Sequence, residues 1–441
     1  VSLQQVAHYD ALTNLINRRG FNQIFAERLT EQKLVDGMLA VMFLDVDHFK
    51  RINDSLGHDA GDELLKVIAE RIRGATRAND VVARFGGDEF CILIALDNIE
   101  EARQMAQRIM TKMKDPIALA GRRMVMSTSI GISVFPHDGE TCDELLKNAD
   151  LALYQSKGNG RNTLHFFNES LKTKASLELH LEEQLRNALT EEQGLQLYYQ
   201  PIVDLRTGHV AKLEALIRWR HPVHGLLTPD RFISIAENNG LIAELDNWVL
   251  RRACQDLAQL CDDGFDKLII AVNCSALNLA REELVQEMDD ALKAAGVPPQ
   301  RLELEVTENA LMGNISNTVL LLNDIRKLGV ALSIDDFGTG YSSLMYLKRL
   351  PANELKIDRG FVRDLEHDSD DAAIVSAIVA LGQALNLRIV AEGVETSSQQ
   401  SFLTQLGCDS LQGYLLGHPL PADRFMADIS AAHKRVSANT L

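Results

Sequence analysis

The amino-acid sequence predicts two domains, a first domain of the α/β or α+β class and a second that is a (β/α)8 barrel. Its 441 residues exceed the average domain, which has roughly 150 residues. Helical and strand patterns mix up to about residue 166, whereas a repeated strand–helix pattern fills the second half. Between them, residues 168–190 place leucines at helical spacing among charged residues. We therefore expect domains at 1–167 and 191–441, joined by a connecting helix at 168–190.

Two short apolar runs around a glycine pair are the clearest feature of the first domain. A Gly-Gly pair between two strands predicts a β-hairpin. Helical periodicity over Gly61–Ile72 lies between the predicted strands, which is typical of α/β and α+β domains. The predicted strands are Leu39–Asp45, Val81–Phe85, Phe90–Ile94 and Met124–Phe135, with the hairpin turn at Gly86-Gly87.

The second half repeats an apolar run that ends in a polar or acidic residue. Helix-length segments such as Leu241–Leu260 and Ile315–Leu328 separate these runs, and this alternation predicts buried parallel strands in a barrel. Polar groups at the carboxyl ends of barrel strands face the active site. The runs are Leu268–Asn273, Leu302–Glu305, Val330–Asp335, Leu355–Ile357 and Arg388–Glu392.

Composition and charge exclude several classes of protein. The 62 acidic residues exceed the 45 basic ones, and the formal charge of −17 disfavours a protein that binds nucleic-acid polymers. The six cysteines form no CxxC pair, which argues against a zinc knuckle or a redox motif and fits a reducing compartment. No apolar run reaches the ~18 residues of a membrane span, and no secretory signal is visible. We expect a cytoplasmic fragment without membrane contact, and Val1 in place of Met predicts a longer protein with an upstream sensor or inner-membrane anchor.

Acidic and basic residues cluster around the predicted hairpin of the first domain. Asp45-Val46-Asp47 closes a strand, and the glycines of the hairpin tip let the backbone approach a ligand closely. Acids at a strand end and at a hairpin tip could share one Mg²⁺ that bridges triphosphate oxygens. Lys157 and Arg161 are four residues apart and could meet phosphate from one helical face. Taken singly, each fragment predicts only a turn or a solvated loop.

Taken together, these fragments resemble the GGDEF family of diguanylate cyclases over residues 8–166. The resemblance implies a nucleotidyl-cyclase-like fold in which Mg²⁺ accompanies bound GTP. It also implies that two GTP-loaded domains face each other in a homodimer and condense two GTP into cyclic di-GMP. The resembling segments include Asp10-Ala11-Leu12-Thr13, Asn17-Arg18-Arg19, Phe43-Leu44-Asp45-Val46-Asp47-His48-Phe49-Lys50, Gly61-Asp62, Gly86-Gly87-Asp88-Glu89-Phe90 and Lys157–Asn162.

The same resemblance implies a role for individual residues of the first domain. Asp45 and Asp88 are expected to hold the metal, with the Val46 carbonyl as a third ligand. Asn53 and Asp62 are expected to read the guanine edge, and Glu89 is expected beside the reacting hydroxyl. The residues expected to contact phosphate are Lys50, Lys157 and Arg161.

Arg77 and Asp80 precede the hairpin at a spacing that permits two interpretations. They could form an ion pair in an exposed loop. The resemblance implies instead a product-inhibition site, an RxxD motif at this offset before the hairpin signature. An arginine suits that role because it binds phosphate and stacks on guanine.

Hard oxygen ligands concentrate at the predicted strand ends of the second domain. Strand alternation places Glu214 and Arg218 on one face of their strand. Asn273, Glu305 and the adjacent pair Asp335-Asp336 supply further oxygen donors, which suit Mg²⁺ or Mn²⁺ rather than zinc. The adjacent aspartates could bridge two ions about 4 Å apart, as in two-metal phosphoryl transfer.

These residues stand in segments that resemble the EAL phosphodiesterase family over residues 180–425. The family fold is a TIM-type barrel, which agrees with the strand-end pattern. The resembling segments include Tyr199-Gln200-Pro201-Ile202, Glu214-Ala215-Leu216-Ile217-Arg218-Trp219, Val272-Asn273-Cys274-Ser275, Glu305-Val306-Thr307-Glu308, Asp335-Asp336-Phe337-Gly338-Thr339-Gly340, Lys356-Ile357-Asp358, Glu392-Gly393-Val394-Glu395 and Gln412-Gly413-Tyr414.

The second resemblance implies a two-metal site with Mg²⁺ or Mn²⁺. Asp335 and Asp336 would hold the second metal, and Lys356 would orient the attacking water. Glu392 would support the metal–water network, and Glu308 would tether the loop over 336–343, which is tied to dimerisation in this family. The first metal would be held by Glu214, Asn273, Glu305 and Asp335, and the substrate would meet Gln200, Arg218, Glu395 and Gln412.

The sequence therefore predicts a cyclic di-GMP signalling enzyme. The second domain would hydrolyse cyclic di-GMP to linear pGpG. The first would bind GTP and either synthesise cyclic di-GMP as a dimer or activate the phosphodiesterase. The alternative is a non-catalytic receptor for GTP and cyclic di-GMP that signals by conformation. A general nucleic-acid phosphodiesterase is disfavoured by the acidic charge.

Overall fold

The chain folds into two compact units in a computed structural model that describes residues 8–311, 315–339, 347–365 and 368–425. The division falls between Leu179 and His180. Within these ranges, every helix is too short or too polar to cross a membrane.

The first unit is a six-stranded sheet with helices on both faces. Its strands are β1 (Ile16–Asn17), β2 (Met38–Val46), β3 (Val81–Gly86), β4 (Glu89–Leu96), β7 (Thr128–Phe135) and β8 (Leu164–Phe166), and β5 (Ile117–Leu119) and β6 (Arg122–Met124) form a separate ribbon. Its helices are α1 (Arg18–Leu34), α2 (Phe49–Leu56), α3 (His58–Ala75), α4 (Ile99–Met113) and α5 (Cys142–Gly158), and α6 (Glu169–Glu191) spans the division between the units.

The inner strand β2 carries the two cores of this unit. The sheet order is β1-β3-β4-β2-β7-β8, with β2 antiparallel to both of its neighbours. Side chains alternate along a strand, so even-numbered residues from Ala40 to Leu44 pack with α3 and α4. Odd-numbered residues from Leu39 to Phe43 pack with α1 and α5. Because both faces are buried, β2 is apolar until it reaches Asp45, near its carboxyl end.

The predicted hairpin is confirmed, whereas one predicted strand is interrupted. β3 and β4 pair antiparallel around Gly86 and Gly87, both of which have positive φ. The strand predicted over Met124–Phe135 is wrong at its start, because β6 ends at Met124 and β7 begins at Thr128. Between them the chain turns so that the Ser127 hydroxyl donates to the Asp47 carboxylate at 2.6 Å.

The second unit contains the remaining strands and helices. The strands are β9 (Leu195–Asp204), β10 (Val210–His221), β11 (Gly225–Leu227), β12 (Ile269–Cys274), β13 (Leu302–Thr307), β14 (Ala331–Phe337), β15 (Glu354–Ile357), β16 (Arg388–Ala391), β17 (Ser410–Gln412) and β18 (Leu420–Pro421). The helices are α7 (Ile233–Asn238), α8 (Ile242–Asp262), α9 (Ala276–Leu279), α10 (Leu284–Ala295), α11 (Glu308–Leu311), α12 (Ile315–Leu328), α13 (Arg359–Arg363), α14 (Ser369–Ala384) and α15 (Ser397–Leu406).

Eight of these strands close into a barrel. Their order is β9-β10-β12-β13-β14-β15-β16-β17, and β9 closes the ring because it pairs with both β10 and β17. The five strands predicted from apolar runs with polar ends are all present as β12 to β16, and they pair in parallel. Their carboxyl ends therefore lie on one rim of the barrel.

The expectation of a ring of parallel strands is wrong for β9. This strand runs antiparallel to both of its neighbours. Only residues 205–209 separate β9 from β10. Such a short connection makes a hairpin, since parallel neighbours need a crossover of a dozen or more residues.

Gly131 allows β7 and α5 to pack closely, and we expect Gly131→Ala to destabilise the first unit. A Cβ at this position would lie 2.1 Å from both the Ala149 carbonyl oxygen and the Leu153 backbone nitrogen. Overpacking of this kind costs about 1–3 kcal/mol of unfolding free energy. Calorimetry should show a lower melting temperature for the first unit. Its transition can be recognised because it leaves tryptophan fluorescence unchanged, since Trp219 and Trp248 both lie in the second unit.

The matched control for Gly131→Ala is Gly158→Ala, at the end of the same helix α5. No atom lies within 4 Å of a Cβ built there. Alanine is the better helix former, so this variant should be as stable as the parent or more stable. Equal melting temperatures for the two variants would contradict the packing argument.

Candidate active sites

The rim of the barrel surrounds a cavity of about 540 Å³. Several predicted site residues line it, including the two glutamines Gln200 and Gln412. The predicted residues in the lining are Gln200, Glu214, Arg218, Asp336, Glu392, Glu395 and Gln412. Sequence positions from 200 to 412 therefore meet at one place, as strand-end residues of a closed barrel do.

Lys356 is the centre of the charge cluster beneath this cavity. Its side chain, on β15, is fully buried, and its Nζ lies 2.5 Å from Glu392 Oε1 and 2.9 Å from Glu305 Oε1. Glu214 and Asp335 each place an oxygen 3.7 Å from the same nitrogen. Burial opposes the charged form, yet these carboxylates hold the pKa of Lys356 well above its ordinary value. Lys356 therefore stays charged and draws carboxylates from several strands together.

Two carboxamides orient Glu214, which lies on β10. Asn273 Nδ2 donates to Glu214 Oε1 at 2.9 Å, and Gln412 Nε2 donates to Glu214 Oε2 at 2.6 Å. Gln412 also donates to Gln200 Oε1 at 3.1 Å. With its nitrogen committed to Glu214, Asn273 can turn its side-chain oxygen toward a cation.

The described residues fit a divalent cation at this rim. Asp335, Asp336 and Glu392 each offer a carboxylate oxygen within 4.8 Å of the others. Both oxygens of the fully buried Glu305 lack a hydrogen-bond donor of good geometry among the described groups. Carboxylate and carboxamide oxygens are the ligands that Mg²⁺ and Mn²⁺ prefer. A divalent cation would stabilise this buried carboxylate, whose charged contact among the described groups is the Lys356 ammonium, 2.9 Å from Glu305 Oε1.

Burial and like charges shift two of these carboxyl groups strongly. Burial raises the pKa of Glu392 to about 8, against the opposing charge of Lys356. Burial, with the charges of Asp335 and Asp358, raises the pKa of Asp336 to about 6. Asp336 also has a φ of 53°, which is uncommon for an aspartate, and its backbone nitrogen donates to Asp335 Oδ1 at 2.8 Å. This conformation lets the adjacent aspartates stand at the same rim.

Glu308 lies beneath the loop that follows Asp336. The Gly338 backbone nitrogen donates to Glu308 Oε2 at 2.9 Å, and Glu308 is buried. This contact joins Glu308 to the start of the loop for which the family resemblance implies a tether, and the described part of that loop ends at residue 339. The rest of the predicted loop, from 340 to 343, lies outside the described residues.

Arg218 stands at the cavity wall over an aromatic ring. Its guanidinium lies 5.4 Å from the ring centre of Tyr198, and one nitrogen donates to its own neighbour's carbonyl, Ile217 O, at 2.8 Å. Both contacts hold the guanidinium in place beside the cavity. A fixed arginine of this kind binds phosphate well.

Asp358 and Arg359 also line the cavity, and neither is among the predicted site residues. Asp358 follows directly after β15, so its position matches the pattern of an apolar strand that ends in acid. That pattern could have identified it. Arg359 packs against Gly393, where an added Cβ would lie 2.6 Å from Arg359 Cβ.

The first unit gathers its own charged residues at the end of β2. Lys157 Nζ lies 2.7 Å from Asp45 Oδ2, and Asp45 stands opposite Glu89 in the sheet register. Burial raises the pKa of Asp45, and the charges of Asp88 and Asp47 act in the same direction. Val46 is the last residue of β2. This accumulation of negative charge fits a cation between the strand end and the hairpin tip.

The Asn53 side chain occupies a space that is free only because residue 61 is a glycine. A Cβ on Gly61 would lie 1.9 Å from Asn53 Oδ1, so the asparagine of α2 packs against the start of α3, where Asp62 follows. Asn53 Oδ1 is buried and lacks a hydrogen bond among the described groups. The predicted guanine readers therefore come from adjoining helices. The remaining predicted contacts, Lys50, Arg161 and Glu89, belong to exposed residues.

Two residues that hold this site together had no assigned role from sequence. Asp47 is buried and accepts hydrogen bonds from Ser127 Oγ, Ser129 Oγ and Asn162 N at 2.6, 2.7 and 3.1 Å. Arg84 donates to the Gly87 carbonyl at 3.0 and 2.8 Å and thereby braces the hairpin tip. The partners of Asp47 lie 80 or more residues away in the chain and leave no local signal, whereas Arg84 contacts a backbone carbonyl three residues away, which no residue type marks.

Arg77 and Asp80 border a separate cavity of about 310 Å³ in the first unit. Asp80 accepts a hydrogen bond from the backbone nitrogen of Arg77 at 2.6 Å. The Arg77 guanidinium lies 3.1 Å from Glu101, and it is largely exposed. The guanidinium therefore pairs with Glu101 rather than with Asp80, so the simple ion pair between Arg77 and Asp80 is not formed.

Comparison with known proteins identifies both units. The family model for the EAL domain matches residues 182–419, and the model for the diguanylate cyclase, GGDEF domain, matches residues 7–163. Two relatives from Pseudomonas aeruginosa are "Cyclic di-GMP phosphodiesterase NbdA", 57% identical over 95% of this chain, and "Bifunctional diguanylate cyclase/cyclic di-GMP phosphodiesterase MucR", 48% identical over 97% of it. This chain spans 54% and 62% of their respective lengths.

A solved structure is similar to just over half of this chain. It is described as "PaMucR Phosphodiesterase, c-di-GMP complex" and is 54% identical, with a TM-score of 0.54. The match covers 56% of this chain and 99% of that structure. The order of the two matched domains, GGDEF before EAL, agrees with the sequence prediction.

The charge cluster predicts a large loss of stability in Lys356→Met. Removal of one partner from a buried ion cluster leaves uncompensated charge and costs about 3–5 kcal/mol. Urea unfolding followed by tryptophan fluorescence reports on the second unit alone and should show this loss. Lys293→Met removes an exposed lysine that pairs with Asp289 and should leave the unfolding curve unchanged. A Lys356→Met curve that overlays that of the parent would contradict the role given to the ammonium group.

Proposed function

Because the chain belongs to the tandem GGDEF–EAL family, we propose that its second unit hydrolyses cyclic di-GMP to linear pGpG. The observation that carries the proposal is the cluster of four carboxylates around Lys356 beneath an open cavity. The functions for which NbdA and MucR are named support the same substrate. We place the domain boundaries at 1–167 and 191–441, with 168–190 as the connecting helix, and we assign the fragment to the cytoplasm.

The proposed site holds two Mg²⁺ or Mn²⁺ ions. Asp335 would contribute to both ions, and Asp336 to the second. When bound, the ions would lower the pKa of a water molecule and stabilise the oxygens of an in-line displacement at phosphorus. The other ligands of the first ion would be Glu214, Asn273 and Glu305.

The residues around the ions would position the reactants. Lys356 Nζ and Glu392 Oε1, 2.5 Å apart, would orient the attacking water. Arg218 would hold a substrate phosphate from the cavity wall, and Gln200, Glu395 and Gln412 would complete the polar lining. The water oxygen forms a bond to phosphorus, the bond to the 3′-oxygen breaks, and that oxygen receives a proton. The linear product keeps a 5′-phosphate.

The first unit would bind GTP with Mg²⁺. Asp45, Asp88 and the Val46 carbonyl would hold the ion, and the unpartnered Asn53 Oδ1 would read guanine together with Asp62. The phosphates would meet Lys50, Lys157 and Arg161. Two such units facing each other in a homodimer would condense two GTP into cyclic di-GMP, with Glu89 beside the reacting hydroxyl.

We also propose a product-binding role for Arg77 and Asp80. The 310 Å³ cavity beside them and the exposed guanidinium support it. The guanidinium would leave Glu101 to bind a guanine or phosphate of cyclic di-GMP, which is a change that a partly exposed arginine can make at small cost.

Asp335→Asn should abolish hydrolysis, because the charge shared by both ions is lost. Substitution of residues that merely support metal ligands costs 10–100-fold, so we expect a rate at least ~100-fold lower here. Chromatography of products after incubation with cyclic di-GMP and Mg²⁺ measures pGpG directly. GTP binding should be unchanged, since that site lies in the other unit. Near-parental pGpG formation would overturn the site assignment, and a parent that binds cyclic di-GMP without turnover would favour a receptor.

GTP should change the rate of cyclic di-GMP hydrolysis. Helix α6 is continuous from Glu169 to Glu191, and a helical connection is stiffer than a Gly/Ser linker. Coupling between sites is typically 1–3 kcal/mol, or roughly 5- to 150-fold in affinity. Initial rates of pGpG formation should respond to GTP in the parent and lose that response in Asp62→Ala. A rate of pGpG formation that does not change at saturating GTP would show that the two units act as independent enzymes.

A further inference from the structure

A second buried ion cluster lies inside the barrel, below the proposed active site. Lys212 Nζ lies 2.7 Å from Glu303 Oε1 and also contacts Glu354 Oε1. All three side chains are almost fully buried, with relative exposures of 1%, 4% and 1% for these residues. The Arg388 guanidinium approaches Glu354 from the outside at 3.5 Å. None of these four residues lines the cavity.

Each of the three buried residues of this cluster, Lys212, Glu303 and Glu354, stands two residues before a member of the proposed site on the same strand. Lys212 precedes Glu214 on β10, Glu303 precedes Glu305 on β13, and Glu354 precedes Lys356 on β15. Residues two apart point to the same face of a strand, here the barrel interior. The two clusters are therefore stacked layers, separated by about 6.6 Å along the strands.

The two layers cross the barrel in opposite directions. In the sheet order, β12, β13 and β14 lie between β10 and β15, so a contact between β10 and β15 spans the interior. Lys212 reaches from β10 to Glu354 on β15, and Lys356 reaches from β15 back to Glu214 on β10. In each layer a glutamate of β13 contacts the ammonium group of that layer, Glu303 that of Lys212 and Glu305 that of Lys356. The lower layer repeats the upper one with the lysine on the opposite wall.

The lower layer is not explained by stability alone. Interior layers of such barrels are usually filled by Val, Ile and Leu. Apolar side chains of similar volume would avoid the desolvation of three charges and are often as stable as a buried ion cluster or more stable. An ionic layer differs in that its contacts are short and directional. These contacts fix three strands relative to one another.

We propose that Lys212, Glu303 and Glu354 form a positioning layer that sets the affinity of the barrel site for divalent cations. The layer holds β10, β13 and β15 at the spacing that Glu214, Glu305 and Lys356 require. Metal–ligand distances tolerate only about 0.2 Å, so small strand displacements weaken binding. The inference deepens the proposed phosphodiesterase function and rests on its metal site, but not on the identity of the substrate.

Mn²⁺ titration of the full chain tests the positioning layer, since it reports on the metal site without turnover. Lys212→Met leaves two buried glutamates without their shared cation. We expect its Mn²⁺ affinity in the barrel to fall at least tenfold, the lower end of the range for residues that support metal ligands. Asp335→Asn identifies which binding step belongs to the barrel. A Mn²⁺ affinity equal to that of the parent would overturn the proposal.

Two further variants separate positioning from stability. Lys212→Met/Glu303→Met/Glu354→Met makes the layer apolar, and its tryptophan-monitored unfolding should return to parental stability or exceed it. We expect its Mn²⁺ affinity to remain at least tenfold weaker. The exchange Lys212→Glu/Glu354→Lys returns a lysine from β15 to glutamates on β10 and β13, as in the upper layer, and should recover most of the affinity. An apolar layer with parental Mn²⁺ affinity would show that the ions serve stability only.

Asp409→Ala provides the matched control. Asp409 Oδ2 accepts a hydrogen bond from the backbone nitrogen of Ile389 at 2.8 Å, near the start of β16 and away from the rim. Its loss should lower stability and leave Mn²⁺ affinity unchanged. A fall in affinity like that of Lys212→Met would mean that any destabilised barrel loses metal, which would overturn the specific role. If the parent binds Mn²⁺ but leaves cyclic di-GMP intact, only the proposed function fails.

Discussion

A single buried ammonium group holds the barrel site together. Lys356 contacts carboxylates from β10, β13, β14 and the end of β16. Without it, four acids would face one another beneath the cavity, and like charges at that distance repel strongly. The barrel closes, Asp336 adopts a positive φ, and two carboxamides orient Glu214. These features can form one site only because the Lys356 ammonium group holds the acids together.

The two units reach a similar arrangement with different folds. In the first, an acid at the end of an inner strand meets a lysine from a helix, with Asp45 and Lys157 2.7 Å apart. In the second, Glu305 and Lys356 are 2.9 Å apart and lie on strands of the same barrel. Each pair combines a would-be metal ligand with a cation that balances its charge. The barrel pair is fully buried, whereas the Lys157 side chain is 35% exposed.

Sequence reasoning recovered the parts of this structure that depend on local pattern. Apolar runs that end in acid identified β12 to β16, and the glycine pair identified the β3–β4 hairpin. The strand–helix pattern predicts parallel strands and does not give the antiparallel direction of β9, which follows from its short connection to β10. The roles of Asp47, Arg84 and Lys212 were also missed. The partners of Asp47 and Lys212 lie 80 or more residues away in the sequence, and buried charge on a single strand gives no periodic signal. Arg84 contacts the backbone carbonyl of Gly87, which no residue type marks.

The way the barrel closes has a consequence for its synthesis. β9 begins the barrel, and its last partners, β17 and β18, are the final described strands. The hydrogen bond between Gln200 and Gln412 spans 212 residues of chain. Contacts of such high sequence separation form late and slowly. A chain emerging from the ribosome therefore cannot complete this rim until its last strands are released, while the first unit can already fold. Until then the exposed edges of β9 and β16 are open to pairing with other chains, so nascent chains of this protein are suited to early chaperone binding.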